Sequence, residues 1–407
     1  MAPSSQQVLH SEFSSGAVDN FEVQVASKLL NGNLTGIKPI MQTRTEQILE
    51  RVIGRPTGWR RFNIRALSVP IIRHVSARIA FGETLADNAD FLDAMESYTM
   101  NILPYALALR YLHLGPLRYL FLYLIHLRQR RTLAIATRYI TDLIAERQRR
   151  EKGHNLAEDE RPVDCIQWCI DQDIPDEQKS PEAIAHRILH IAAAIIDAPI
   201  TSMMNVLTDI ASYARGEVLD DLRAEMAECL AESGGAWTEG SIAKMKKLDS
   251  FVEESFRITS GLLPVSAMRR VMADSFRFDD DLVLPKGSSI LFPTQCIQRD
   301  PNIYPDPDRF DYLRFHGMKE HVRNTDSRTG KEVPRHDWLS FGHGRQACPG
   351  RFYSLRLLKT ILGEMMLRYD IRYAGGDRPR PPPTDLDPIT TPNTTVELEF
   401  RARQDLL

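Results

Sequence analysis

The stretch that decides the reading is Phe341-Gly342-His343-Gly344-Arg345-Gln346-Ala347-Cys348-Pro349-Gly350-Arg351. Glycines, an arginine and a cysteine crowd the approach to a predicted helix. Glycine lets the backbone come close to a flat ligand or take positive φ. Cys348 falls at the helix entrance, where free N–H groups and the positive end of the macrodipole favour a thiolate. Pro349 can start the helix because its missing N–H would have had no partner there. A thiolate held by backbone N–H donors is a soft ligand suited to iron. Arg345 can pair bidentately with a carboxylate.

Three other readings compete for this stretch. Gly342-x-Gly344-x-x-Ala347 matches a dinucleotide-binding fingerprint. It lacks a preceding β-branched strand, and Pro349 disturbs the spacing from turn to helix. A nucleophilic Cys348 would need a base, and His343 is near only in sequence. An inert buried cysteine leaves the glycines and the arginine without a role.

Outward from this loop the chain is mostly helical. A helix after Pro349 is predicted to bury Phe352, Leu355, Leu358, Leu362 and Met365. Another is expected from about Ser241 to Thr259. Ser180-Pro181-Glu182 supplies an N-cap, a first-turn proline and an acid before a long apolar segment. Pro199 inside that segment predicts a kink near Ile195. Short strands are expected between Phe276 and Phe292 and at the C-terminus, and an irregular Pro- and Asp-rich meander over Pro301–Phe315. The fold class is mainly α with a small β-rich portion.

The chain has 407 residues, 43% hydrophobic and 26% charged, which reads as a globular protein and excludes disorder or a fibre. With 51 Lys and Arg against 54 Asp and Glu, no electrostatic case for nucleic acid exists. Five cysteines imply no disulfide framework. Cys165 and Cys169 lack the partners of a zinc site. No signal peptide and no uncharged stretch able to span a bilayer is visible. Leu103 to Leu127 is the nearest approach, and Gly115-Pro116 interrupts it. It reads as two helices or, with Arg128, Arg130 and Arg131 following and no acid from Ser97 to Thr141, as a peripheral membrane contact.

Two further constellations lie upstream of the cysteine loop. Glu254 and Arg257 share a helix face at i, i+3, alone an ordinary surface ion pair. Arg314 stands in the meander, in Phe310-Asp311-Tyr312-Leu313-Arg314-Phe315. In this order the three resemble the cytochrome P-450 family, whose heme loop is Phe-x-x-Gly-x-Arg-x-Cys-x-Gly in its looser form. Phe341, Gly344, Arg345, Cys348 and Gly350 supply its residue types. The family's Glu-x-x-Arg falls on Glu254 and Arg257, and its meander arginine on Arg314, with Tyr312 in place of the usual proline. Arg269, five before Asp274, resembles a strand arginine that meets a heme propionate. The likeness runs from about Phe21 to the C-terminus, leaving residues 1–20 as a poorly defined segment, and is greatest to fungal members of secondary metabolism.

The resemblance implies a cytochrome P-450-like helical fold with heme b (iron protoporphyrin IX). Cys348 would be its axial iron ligand, donating electron density that favours O–O cleavage. Arg345 and Arg269 would pair with propionates, while Phe341, Gly344 and Gly350 shape the loop. Glu254, Arg257 and Arg314 would form a structural network behind the heme. It also implies a monooxygenase acting on a lipophilic small molecule, with NADPH used only through a separate NADPH-cytochrome reductase. The alternatives are oxidative coupling or ring closure without oxygen insertion, and a truncated non-catalytic relative.

Two departures stand out. The family's membrane anchor and N-terminal strands have no counterpart, so the chain reads as truncated at its N-terminus. A longer form would be anchored at the cytosolic face of the endoplasmic reticulum; the chain as given would be cytosolic or peripheral. On the central helix the family's acid and threonine positions fall on Pro199 and Ile200. Asp197 and Thr201, one turn apart, are the substitute candidates for a proton relay, through a water admitted by the proline.

Overall fold

The computed structural model describes residues 30–98, 115, 117–153, 161–172, 180–259, 265–277, 282–316, 324–325, 332–333, 337–343, 347–386 and 389–404. The chain divides into two compact units. One takes the chain up to Arg44 together with Ile72–Asp197; the other takes Thr45–Ile71 with Ala198–Leu407.

The first unit is helical. Helix Leu117–Gly153 is its longest element. Phe81 meets Phe91 edge-on at 4.8 Å, and Phe91 meets Tyr139 at 6.0 Å. The short helix Cys165–Ile170 starts at Asp164, whose carboxylate accepts from Gln167 N–H. The same carboxylate takes both Arg147 Nη atoms at 2.7 Å. This pair closes over Gly82, which at φ 80°, ψ 179° forms the kink between two helical stretches within Ile64–Ala86. Cys165 and Cys169 are buried, and burial pushes the Cys169 thiol to about 12. They are core thiols.

In the second unit, Glu397–Ala402 is the middle strand of an antiparallel three-stranded sheet, between Arg60–Asn63 and Tyr369–Tyr373. Phe62 lies opposite Leu398, and Phe400 opposite Ile371. Phe400 packs edge-on to both Phe62 and Tyr369. Strand Ser266–Arg270 pairs with Ser289–Phe292, and Ser275–Arg277 with Val283–Pro285. Residues 301–316 form successive turns, the expected meander.

The helix predicted over Ser241–Thr259 is two helices, Glu239–Lys244 and Lys246–Thr259. Thr238 opens the first with a capping box. The second begins where the Glu225 carboxylate accepts Lys247 N–H at 2.7 Å and Leu248 N–H at 3.0 Å. A distant side chain thus caps a helix start that no local signal marks. Helix Arg351–Arg368 also departs from its predicted stripe. Phe352 and Leu355 are only half-buried, while every residue from Leu357 to Leu367 is buried. Its second half is surrounded by protein, so a one-sided pattern does not describe it.

Helix Pro181–Tyr213 runs unbroken through Pro199. Ile195, Ile196, Pro199 and Ile200 are buried, and this packing carries the turn that lacks a backbone bond. It is the one helix among the described residues long and apolar enough to cross a membrane, which the sequence reading did not expect. Since 71% of its most apolar window is buried within the protein, it is a core helix.

Candidate active site

The cysteine loop is anchored by aromatic packing at its start. Trp338 is fully buried, and its ring lies 5.7 Å from that of Phe341. Phe341 in turn meets Phe256, on the Glu-x-x-Arg helix, edge-on at 5.7 Å. The chain then turns. Gly342 takes φ +70°, a region that favours glycine, and its N–H donates to Leu339 O at 2.8 Å. Cys348 N–H donates to Phe341 O at 2.7 Å, which ties the two ends of the loop together. Gly344, Arg345 and Gln346 lie outside the described residues. Counted back from Cys348, the arginine position of Phe-x-x-Gly-x-Arg-x-Cys-x-Gly is Gln346, and Arg345 fills the variable position beside it.

Cys348 is half-buried, with Pro349 and Gly350 between it and helix Arg351–Arg368. Burial pushes its thiol up; the Gly350 N–H, the Arg351 charge and the Arg351 N–H oppose that shift. A Cβ on Gly350 would stand 3.9 Å from the sulfur, an ordinary contact, so sterics alone do not demand glycine there. Among the described residues no group of three or more His, Cys, Asp or Glu could hold a metal ion. The loop therefore offers one cysteine sulfur as a single protein ligand, which fits an iron whose other ligands would come from a macrocycle.

Behind this loop the Glu254–Arg257 pair is fully buried, unlike the ordinary surface pair its spacing alone suggests, and Arg314 joins it half-buried. Glu254 and Arg257 have no exposed side-chain surface. Arg257 donates to Glu254 Oε2 at 2.7 Å and Oε1 at 2.9 Å. Arg314 Nε donates to the same carboxylate at 3.1 and 3.0 Å. The rest of the Arg314 guanidinium goes to the carbonyls of Pro305, Asp306 and Arg309. The Asp306 peptide sits at φ 48°, the only positive φ of a non-glycine residue among the described residues.

Gln298 is a connection the sequence reading missed. It is buried, its carbonyl accepts from Arg257 at 2.7 Å, and its side-chain oxygen accepts Leu339 N–H at 3.3 Å. It joins the network to the chain just before Phe341. Tyr304 does the same, lying 5.2 Å under Arg257 and donating to Asp337 O at 2.9 Å. Neither sits in a recognisable motif.

Arg269 lies on strand Ser266–Arg270 opposite Ile290 with its side chain exposed. On the central helix, Ala194 is exposed and Asp197, Ala198 and Thr201 are half-buried, while Pro199 and Ile200 are buried. These four residues follow i, i+3, i+4, i+7 spacing, so they form one stripe less buried than the Ile195, Ile196, Pro199 and Ile200 beside it. Asp197 and Thr201 both belong to it.

The cytochrome P-450 family model matches residues 23–400. The chain is 77% identical over 395 residues to Aspergilol synthase AuAP450 of Aspergillus ustus, covering 97% of this chain and 72% of that one. It is 42% identical over 402 residues to the cytochrome P-450 monooxygenase sttB of Aspergillus terreus, covering 99% and 75%. A solved structure of retinoic acid bound cyanobacterial CYP120A1 matches with a TM-score of 0.67 at 17% identity, covering 94% of this chain and 78% of that one. That likeness shows the fold. The chain belongs to the cytochrome P-450 family, as a heme-thiolate monooxygenase of the fungal secondary-metabolism type, with heme b as cofactor and electrons reaching it from NADPH through a reductase.

Proposed function

We propose that Cys348 is the axial ligand of heme b, and that this chain acts on the substrate of the aspergilol synthase it resembles, or on a close analogue. The observation that carries the ligand assignment is the closed loop itself, tied by Cys348 N–H to Phe341 O at 2.7 Å, which holds Cys348 just before helix Arg351–Arg368. The 77% identity carries the choice of substrate. Bound heme supplies dioxygen activation. Everything else falls to the protein. Phe341, Gly344 and Gly350 give the loop its shape. Arg269, and Arg345 beside the family's arginine position, would pair with the propionates. Glu254, Arg257 and Arg314 hold the meander and the loop in place. Asp197, through its carboxylate, and Thr201, through its hydroxyl, hold a water on the less buried stripe of the central helix and pass protons inward.

The electron donor in this reading is an NADPH-cytochrome reductase. The helix following Gly115 adds a membrane contact. Leu117, Leu120, Leu124 and Leu127 are 63%, 56%, 56% and 40% exposed at helical spacing, and Arg130 and Arg131 beyond them are exposed. Apolar surface flanked by arginines suits an anionic lipid face, here the cytosolic side of the endoplasmic reticulum. The part of this contact upstream of Gly115 lies outside the described residues.

The deciding experiment is the reduced, carbon-monoxide-treated spectrum of the purified protein. A red-shifted Soret band in wild type and its loss in Cys348→Ala is the expected result. Identical spectra in the two would overturn the ligand assignment. Conversion of the aspergilol synthase substrate in the presence of reductase and NADPH then tests the substrate.

A further inference from the structure

Arg351 is fixed from two directions. Its Nη1 donates to the Cys348 carbonyl at 3.0 Å. Its guanidinium carbon lies 4.3 Å from the centroid of the Phe352 ring. That ring is itself held, because the Arg356 guanidinium lies 5.8 Å from it. Arg356 is tied to Glu239 through Nε at 2.7 Å and to the Phe352 carbonyl at 3.3 Å. The carbonyl that Arg351 grips belongs to the peptide bond preceding Pro349, which has no N–H of its own to anchor the turn.

A side chain with arginine's rotamer freedom gives up conformational entropy when held in one place. Here a hydrogen bond and a cation–π contact jointly oppose that loss. Both Arg351 and Phe352 are half-buried, so water screens the charge less than on an open surface. A permanent positive charge thus sits three residues from Cys348, on the residue whose backbone N–H also donates to the Cys348 carbonyl at 3.5 Å.

We infer that Arg351 is a positioning residue for the heme-thiolate centre: it clamps the Cys348 carbonyl and holds a fixed positive charge beside the ligand, and so sets how much electron density the sulfur donates to the iron. This rests on Cys348 being the ligand. Reduction of the ferric centre adds one electron and no proton, so the reduced centre is more negative by one charge. A nearby fixed cation favours it, and removing that cation moves the midpoint potential to more negative values.

The test is a dithionite titration of the heme-loaded full chain without reductase, so that any role of Arg351 in partner docking does not enter. Arg351→Met should shift the midpoint potential to more negative values with the thiolate-type Soret band retained. Arg351→Lys keeps the charge without the planar fork and should lie between Arg351→Met and wild type. Phe352→Leu, which leaves the charge but loosens its seat, should shift in the same direction by less. An unchanged potential in Arg351→Met at full heme loading overturns the inference. Should Arg351→Met fail to take up heme, Arg351→Lys and Phe352→Leu decide the matter, and no shift in either overturns it. Cys348→Ala, run alongside, separates the two claims. A thiolate-type band persisting in that variant removes the ligand assignment itself.

Discussion

Arg314 Nε donates to Glu254 Oε2 at 3.0 Å across 60 residues of chain, and the carboxylate it reaches is completely buried. Glu254 also accepts from Arg257 and from Asp311 N–H, so helix Lys246–Thr259 and the meander share one carboxylate. Removing one member of such a buried group leaves uncompensated charge, which costs about 3–5 kcal/mol. Glu254→Gln is therefore expected to lower unfolding free energy by about that amount and to reduce heme content on expression. Urea unfolding followed by circular dichroism, with heme quantified separately, checks both. Wild-type stability in this variant would mean that the network is not holding the meander.

A second outcome concerns proton delivery. Asp197→Asn and Thr201→Val should each lower product formed per NADPH consumed and raise peroxide release, with heme content constant. Ile200→Thr, which puts a hydroxyl back on the neighbouring position, should improve coupling. If all three variants match wild type, protons do not travel along this stripe, and a coupling or ring-closing reaction becomes the better reading.

The exposed leucine face gives a binding experiment. Sedimentation with anionic vesicles should drop when Leu120 and Leu124 are changed to Ser, and separately when Arg130 and Arg131 are changed to Glu. Added salt should weaken only the arginine contribution, because screening acts on charge and not on apolar burial. Unaltered sedimentation of both double variants would place any membrane contact elsewhere.

Gly82 offers a test of packing in the first unit. Its φ of 80° and ψ of 179° lie in a region open essentially to glycine alone. A Cβ there would stand 2.5 Å from Asp164 Oδ2 and 2.8 Å from Arg147 Nη2. Gly82→Ala should cost on the order of 2 kcal/mol, by backbone strain and by displacement of the ion pair. Thermal unfolding would read this as a lowered midpoint, and an unshifted midpoint would contradict the described geometry.

Acid sensitivity should trace partly to Asp370. Burial pushes its carboxyl up, but hydrogen bonds from Arg401 and Arg223 and their charges outweigh burial and hold it below the ordinary value. With the folded value depressed, its contribution is fully present above the unfolded carboxylate range, about pH 4, and is lost as pH falls through the folded value. Asp370→Asn should lower stability at neutral pH and flatten the acid limb of a plot of unfolding midpoint against pH. An acid limb as steep as that of wild type would assign the sensitivity to other carboxylates.

The sequence by itself determined what local chemistry controls. A cysteine loop leading into a helix was legible from Phe341 to Gly350, although the helix opens at Arg351 after an N-cap at Gly350 and not at Pro349. The i, i+3 spacing of Glu254 and Arg257 put both on one helix face, and the family pattern added Arg314. The strands before Phe292 and at the C-terminus were legible from alternation and turns. Only the tertiary structure decided that Glu254 and Arg257 are fully buried, because the same spacing occurs on open helices. It also decided that Gln298 reaches Leu339 across 41 residues. It placed the Glu225 carboxylate where it starts a helix at Lys246, 22 and 23 residues from the N–H groups it accepts. In the first group, neighbouring residues are brought together by backbone geometry that every chain shares. In the second, residues meet only because packed elements bring distant segments to one point, and no periodicity in the chain records where that point lies.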